Sequence, residues 1–146
     1  MDGLNIGAQK KLAEKEDEGT AVHIHGMDEK PLFYENEAGE ETPVTITVTG
    51  TNSRQFRTIE HRQRKRRIKP RAFTGQSLHH DGIEKAAYCT LRWDGVFGDN
   101  KEVVRCDYEN ARVLYEEVPH VYNQVVEAMG DAERFFASSS NRSRIC

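Results

Sequence analysis

No stretch of this chain comes near the roughly 18 to 20 consecutive apolar residues that span a bilayer. The opening MDGLNIGAQKKLAEKEDEG also lacks the apolar segment of a secretory signal. The expectation is a soluble protein that stays in the cytoplasm where it is made, with no membrane partner. Cysteine is scarce. Cys89, Cys106 and Cys146 are odd in number, far apart and without a CxxC pair, so neither a disulfide framework nor a zinc site is indicated. The sequence has no GxSxG, HExxH, GxxxxGK or GxGxxG, and its 11 glycines are scattered singly. No catalytic residue, no cofactor and no metal site is therefore expected, and an enzyme is the weaker hypothesis.

What the chain does have is charge in blocks. Residues 1–50 hold 11 acids and 4 bases, 54–71 hold 1 and 9, and 72–146 hold 12 and 8, giving nets of -7, +8 and -4 within an overall -3. The stretch RQRKRRIKPR at 62–71 places seven bases in ten positions. Such a block can hold an anionic partner, or pair with the acidic ends of the same chain or of a neighbouring copy. A pI near 6.1 argues against a dedicated nucleic-acid domain. At 146 residues, 36% hydrophobic, with a mean hydropathy of -0.78, there is room for one small domain with loose ends.

The pattern along the chain predicts an α+β fold: a small N-terminal antiparallel β-meander followed by a mostly helical C-terminal part. Residues 1–19 are charged and without sustained apolar period, and are expected to be a disordered arm or at most a frayed helix. The ordered domain spans 20–137. AVHIHG (21–26), PLFYEN (31–36) and PVTITVTG (43–50), separated by polar turns, make the meander over 20–50. In the last of these Val44, Ile46 and Val48 alternate with Thr45, Thr47 and Thr49, which predicts one core face and one face toward water or a partner. Thr51 or Ser53 can cap a basic helix over 51–69, in which Phe56 and Ile59 form a thin apolar stripe and Gln63 takes the next inward position.

Residues 70–82 mix turn formers and read as a loop. The helical part, 83–137, starts with a helix over 83–93, although 88–93 alone could pass for a strand. A short hairpin turns through Asp94-Gly95 and Asp99-Asn100. Asp107 is a good N-cap for a helix striped by Ala111, Leu114, Tyr115 and Val118, and Pro119 suits the first turn of a last helix over 119–136. That helix presents Tyr122, Val125, Val126, Met129, Ala132 and Phe136, and Gly130 weakens it slightly. Residues 138–146 read as a disordered tail.

His23 and His25 lie two apart on a strand and point the same way. No third ligand follows at a recognisable spacing, so the preferred reading is two imidazoles on the polar face of a half-buried strand. Cys89 reads as core. The basic helix is the strongest binding candidate. It lacks the interleaved aromatics that stack on bases, and no helix-turn-helix or zinc-finger frame surrounds it. The nominated contact residues are Phe56 and Ile59 as helix anchors, with Arg62, Arg64, Arg66 and Arg67 as the charged face.

The segment WDGVFGDNKEVVRCDYENARVLYEEVPHVYNQVVEAMGDAERFF resembles the C-terminal part of tail assembly chaperones of long-tailed, siphovirus-type bacteriophages. The positions that carry the likeness are Trp93, Gly95, Asp107, Glu109, Asn110, Ala111, Leu114, Val121, Gln124 and Phe135. Upstream, VTITVTGTNSRQFRTIEHRQRKRR is similar in its strand, polar turn and Arg/Gln-rich helix, so the likeness covers roughly residues 40–136. Arg105-Cys106, in place of a more usual apolar-polar pair, and the very basic helix end depart from it. The resemblance implies a non-enzymatic chaperone in the host cell cytoplasm. Such a protein binds the tape measure protein, recruits the tail tube protein, and leaves before the virion is finished; in many members a frameshift near the end of the frame appends a second domain. Opposite-charge blocks also suit self-association. The alternatives are a nucleic-acid-binding protein using 54–71 and a minor structural tail or connector protein.

Overall fold

The alternation in PVTITVTG builds the centre of the molecule. In the computed structural model, which describes residues 3–66 and 75–136, the elements run α1 (Ile6–Glu18), β1 (Thr20–His23), β2 (Phe33–Glu35), β3 (Glu41–Pro43), β4 (Thr45–Val48), α2 (Arg54–Arg66), α3 (Gly75–Tyr88), β5 (Thr90–Asp94), α4 (Tyr108–Glu117) and α5 (Pro119–Met129). The fold is α+β with a mostly helical C-terminal part, as the sequence pattern predicts, although α1 precedes the strands and β5 follows α3.

The strands do not pair in chain order, however. β4 is central, with β1 on one side and β5 on the other, while β2 and β3 form a separate hairpin. Three extended segments meet in a cycle: Ile24 N–H donates to the Val44 carbonyl (2.9 Å), Val44 N–H to that of Leu32 (3.0 Å), and Leu32 N–H to that of Ile24 (2.9 Å). This junction lets β1 pass from β4 to the chain leading into β2, and no backbone group at the crossing is left unpaired.

Ile46 and Val48 are fully buried, and on the face expected to meet water or a partner Thr47 and Thr49 are buried as well, with Thr45 half-buried. The Thr49 hydroxyl accepts a hydrogen bond from that of Ser53 (3.1 Å), and the chain after α1 presses in at Gly19 (φ 85), where a Cβ would meet the Val48 carbonyl and the Leu91 and Thr47 side chains. A hydroxyl with a partner can be buried at little cost, so threonine alternation does not guarantee a wet face.

The expected arm is a helix. Asn5 caps α1 by accepting from Ala8 N–H (3.0 Å), and the acidic last turn docks on the start of α2. Asp17 accepts from Arg54 N–H (2.6 Å) and the buried Glu16 accepts from Asn52 N–H (3.2 Å). Carboxylates at the positive end of a helix are stabilised there, which gives α1 a polar dock that apolar periodicity could not reveal.

Of the expected loop over 70–82, residues 75–82 belong to α3. The helix expected over 83–93 stops at Tyr88, where the chain becomes β5 and supplies the second ladder of β4: Ile46 faces Trp93, and Thr47 faces Arg92. Thr90 marks the change, with its hydroxyl donating to the Ala86 carbonyl (2.8 Å) and lying 2.6 Å from that of the buried Tyr115. The short hairpin closes through Val104 N–H to the Val96 carbonyl and Gly98 N–H to that of Glu102.

Asp107 caps α4 as expected, accepting from Asn110 N–H (2.8 Å), and Pro119 begins α5. Gly130 ends α5 rather than weakening it, and a separate helical turn over 132–136 inserts Phe135. The buried stripe of α5 is accordingly Val125, Ala128 and Met129, with Val126 outside, and in α4 Ala111 and Tyr115 are buried while Leu114 is half-buried. Residues 67–74, and with them the end of the expected basic helix, lie outside the described residues, as does the expected tail.

Candidate partner-binding surface

α2 begins where Ser53 accepts from Phe56 N–H (3.1 Å), and it turns two unlike faces to its surroundings. Inward go Ile59 and Gln63, both buried, with Phe56 half-buried and Lys85 Nζ 5.6 Å above its ring. Gln63 Nε2 donates to the Asp81 carbonyl (2.8 Å), fastening α2 to α3. Phe56 and Ile59 are thus anchors, as expected, but what they grip is this chain's own core. Ile59, 4% exposed, reaches the outside only as part of the lining of a groove.

The charged positions divide further. Arg62 stands over the Tyr88 ring (5.3 Å), and Arg64 reaches Glu60 one turn back (2.9 Å) with 72% of its side chain exposed. Arg66 makes a two-pronged contact with the carboxylate of Glu84 (2.7 and 3.3 Å), which lies almost wholly buried on α3. The hydrogen bonds to Glu84 raise the Arg66 pKa above its usual value. A planar guanidinium suits this two-point contact in a way an ammonium does not. Arg66 therefore serves the α2–α3 seam as well as the surface. Arg67 lies outside the described residues.

Between α2, α3 and the start of α4 runs a groove of about 510 Å³. Ile59 is its floor, Tyr88 and Tyr108 are its aromatic walls, and Arg62, Lys65 and Arg66 are its rim. Burial, with the neighbouring Glu84 charge, pushes the Tyr108 phenol pKa up, so it remains a neutral hydrogen-bonding group. Lys65 was visible in the basic run. Tyr88, Glu84 and Tyr108 were not identifiable as neighbours, because only the packing of α2 on α3 and α4 unites positions up to 49 apart. The groove can seat a segment that presents apolar and acidic side chains together.

A second cleft, about 650 Å³, lies between the β2–β3 hairpin and the 95–106 hairpin, with Tyr34, Trp93, Phe97 and Val103 in its lining and Glu35 and Glu37 among its residues. His23 and His25 sit with ring centroids 5.7 Å apart, each with one ring nitrogen on a backbone carbonyl, of Leu32 (2.9 Å) and Glu29 (3.0 Å) respectively. Among the described residues no group of three His, Cys, Asp or Glu is placed to hold a metal ion. Cys89 is core, with no exposure, and burial pushes its thiol up to about 11, far from a reactive thiolate.

Trp93, Gly95, Asn110 and Gln124, four of the positions singled out in the sequence, have local structural roles. Trp93 donates its indole N–H to the Val104 carbonyl (2.8 Å), and Gly95 takes a positive φ of 86°. The Asn110 amide donates to the Arg105 carbonyl (2.9 Å), while Gln124 clamps the backbone of His25, accepting at 2.7 Å and donating at 2.8 Å. No family model, no curated protein and no solved structure matches the chain.

Proposed function

We propose that this chain is a tail assembly chaperone of a long-tailed bacteriophage, a non-enzymatic protein that binds the tape measure protein, keeps it soluble and recruits tail tube subunits in the host cytoplasm. The observation that carries this reading is the sequence likeness over residues 40–136. The groove of α2, α3 and α4 supports it, because aromatic walls under a cationic rim suit the side of a long amphipathic client better than a small substrate.

The basic face supports nucleic-acid binding less well. Arg64 and Arg66 already have carboxylate partners, and the groove aromatics lie below the rim instead of alternating along a strand path. A minor structural role in the tail differs from chaperoning only in persistence, and mass spectrometry of mature particles separates the two, since a chaperone is absent from them.

Co-expression with the tape measure protein encoded nearby tests the reading. A rise in that protein's soluble yield and a complex that co-purifies is the expected result. An unchanged yield, with salt-sensitive binding of DNA or RNA by this chain, gives the basic face its nucleic-acid role instead.

A further inference from the structure

The β2–β3 hairpin carries an arrangement that is unfavourable in an isolated chain. Glu35 and Glu41 are directly opposed across the two strands, and Glu37 and Glu40 flank the turn between them. Directly opposed like charges weaken a strand pair. Among the described residues none of the four has an ion-pair partner, and the segment from Phe33 to Pro43 contains no base. The cluster is also held in shape. The Asn36 side chain accepts from Ala38 N–H (3.0 Å) and Glu40 N–H (2.9 Å), and it donates to the Thr42 hydroxyl (3.1 Å).

The pleat gives this hairpin a distinct outer face. Tyr34 points back toward Phe97, with centroids 5.8 Å apart, whereas Phe33 opposite Pro43 and Glu35 opposite Glu41 lie on the exposed side, with Phe33 48% exposed and its ring edge-on to His23 (5.0 Å). An apolar pair and an acidic pair thus follow each other about 7 Å apart. The groove under α2 has the complementary order: aromatic walls at Tyr88 and Tyr108 beside a rim of Arg62 and Lys65. α2 itself holds six bases and one acid.

We infer that the outer face of the β2–β3 hairpin docks into the α2–α3–α4 groove of a second copy of this chain, with Glu35 and Glu41 on Arg62 and Lys65 and Phe33 between the two tyrosines. The two surfaces differ, so the contact is head-to-tail and repeats from copy to copy unless the rotation closes a ring. A rigid acidic turn meeting a preformed groove loses little conformational freedom on binding. The inference stands on this chain's charge and geometry and does not rest on the chaperone reading, so either can fail alone.

Analytical ultracentrifugation of the full chain, from micromolar to millimolar concentration and at low and high salt, tests it. Concentration-dependent association that weakens with salt is expected. Glu35→Lys/Glu41→Lys and Arg62→Glu/Lys65→Glu each weaken it by about tenfold or more. Mixing the two variants restores it, because along an alternating row reversed hairpin meets reversed groove at one contact and native hairpin meets native groove at the next. Circular dichroism establishes that each variant is folded, and should either reversal fail to fold, Glu35→Gln/Glu41→Gln and Arg62→Gln/Lys65→Gln take its place, each expected to weaken association. A monomeric parent chain, association indifferent to these changes, or reversed variants that fold but do not rescue one another would each overturn the inference.

Discussion

β4 and the β2–β3 hairpin are both antiparallel, both built from short runs with β-branched or aromatic residues, and joined through a single junction at Leu32 and Val44. Their fates are opposite. β4 has a neighbour on each edge, and even its Thr47 is buried, while the hairpin ladder pairs only β2 with β3 and leaves Glu35 and Glu41 exposed and Phe33 about half exposed. Stability is therefore concentrated in one strand and unspent binding capacity in the other: the same local preference serves as core where tertiary partners exist and as surface where they do not.

The largest contrast is expected from Ile46→Ala, which empties a site with 1% exposure at the centre of the sheet. It should lower the free energy of unfolding by about 2–5 kcal/mol, read from the urea midpoint, with the slope unchanged. The same part of the molecule should be sensitive to alkali. Burial lifts the Cys89 thiol from 9.0 to about 11 and also raises the Tyr115 phenol, so the native state holds protons that the unfolded chain releases. The stability is fully present below about pH 9 and falls as pH rises toward 11, at up to about 1.4 kcal/mol per pH unit for each group. Cys89→Ala should flatten that slope in urea titrations between pH 9 and 11, although it lowers stability overall.

Where the two regions meet, Gly95 has a φ of 86°, and a Cβ there would collide with Tyr34 of the hairpin and Val44. Gly95→Ala should cost more than about 1 kcal/mol and shift the tyrosine signals near Phe97 in NMR spectra. The smallest expected effect has the opposite sign. Glu41→Lys replaces a like-charge pair with an attractive one and should stabilise the free chain by about 0.2–1 kcal/mol in the same urea assay. A loss of stability there would show that the hairpin acids already have partners within the monomer.

Features fixed by short-range chemistry were legible in the sequence. The α2 cap at Ser53, one of two candidates with Thr51, the Asp107 cap, the proline opening of α5, the inward order Phe56, Ile59, Gln63 and the core assignment of Cys89 all appear where pattern and chemistry put them. The readings that failed involve partners distant in sequence. Residues 83–93 carry a helical apolar pattern, yet from Thr90 onward the second edge of β4 competes for the chain and wins. α1 has almost no apolar stripe, and its dock, made by Glu16 and Asp17 on the start of α2, consists of hydrogen bonds that hydropathy does not register. Of the nominated contact face, Arg62 lies exposed over Tyr88 and Arg64 exposed beside Glu60 of its own helix, while Arg66 is shared with Glu84 on the next helix.

Composition and periodicity settled the α+β class, the lack of a long apolar helix among the described residues, and the segregation of charge that makes α2 basic and the hairpin acidic. These are properties of residues and their near neighbours, and they survive any arrangement of the elements. The order β1-β4-β5, the burial of the threonine face and the groove that unites Arg62, Tyr88 and Tyr108 were decided only in three dimensions. Which strand occupies an edge and which helix covers a face depend on the free energy of the whole packed assembly, in which each element's best neighbour is set by all the others.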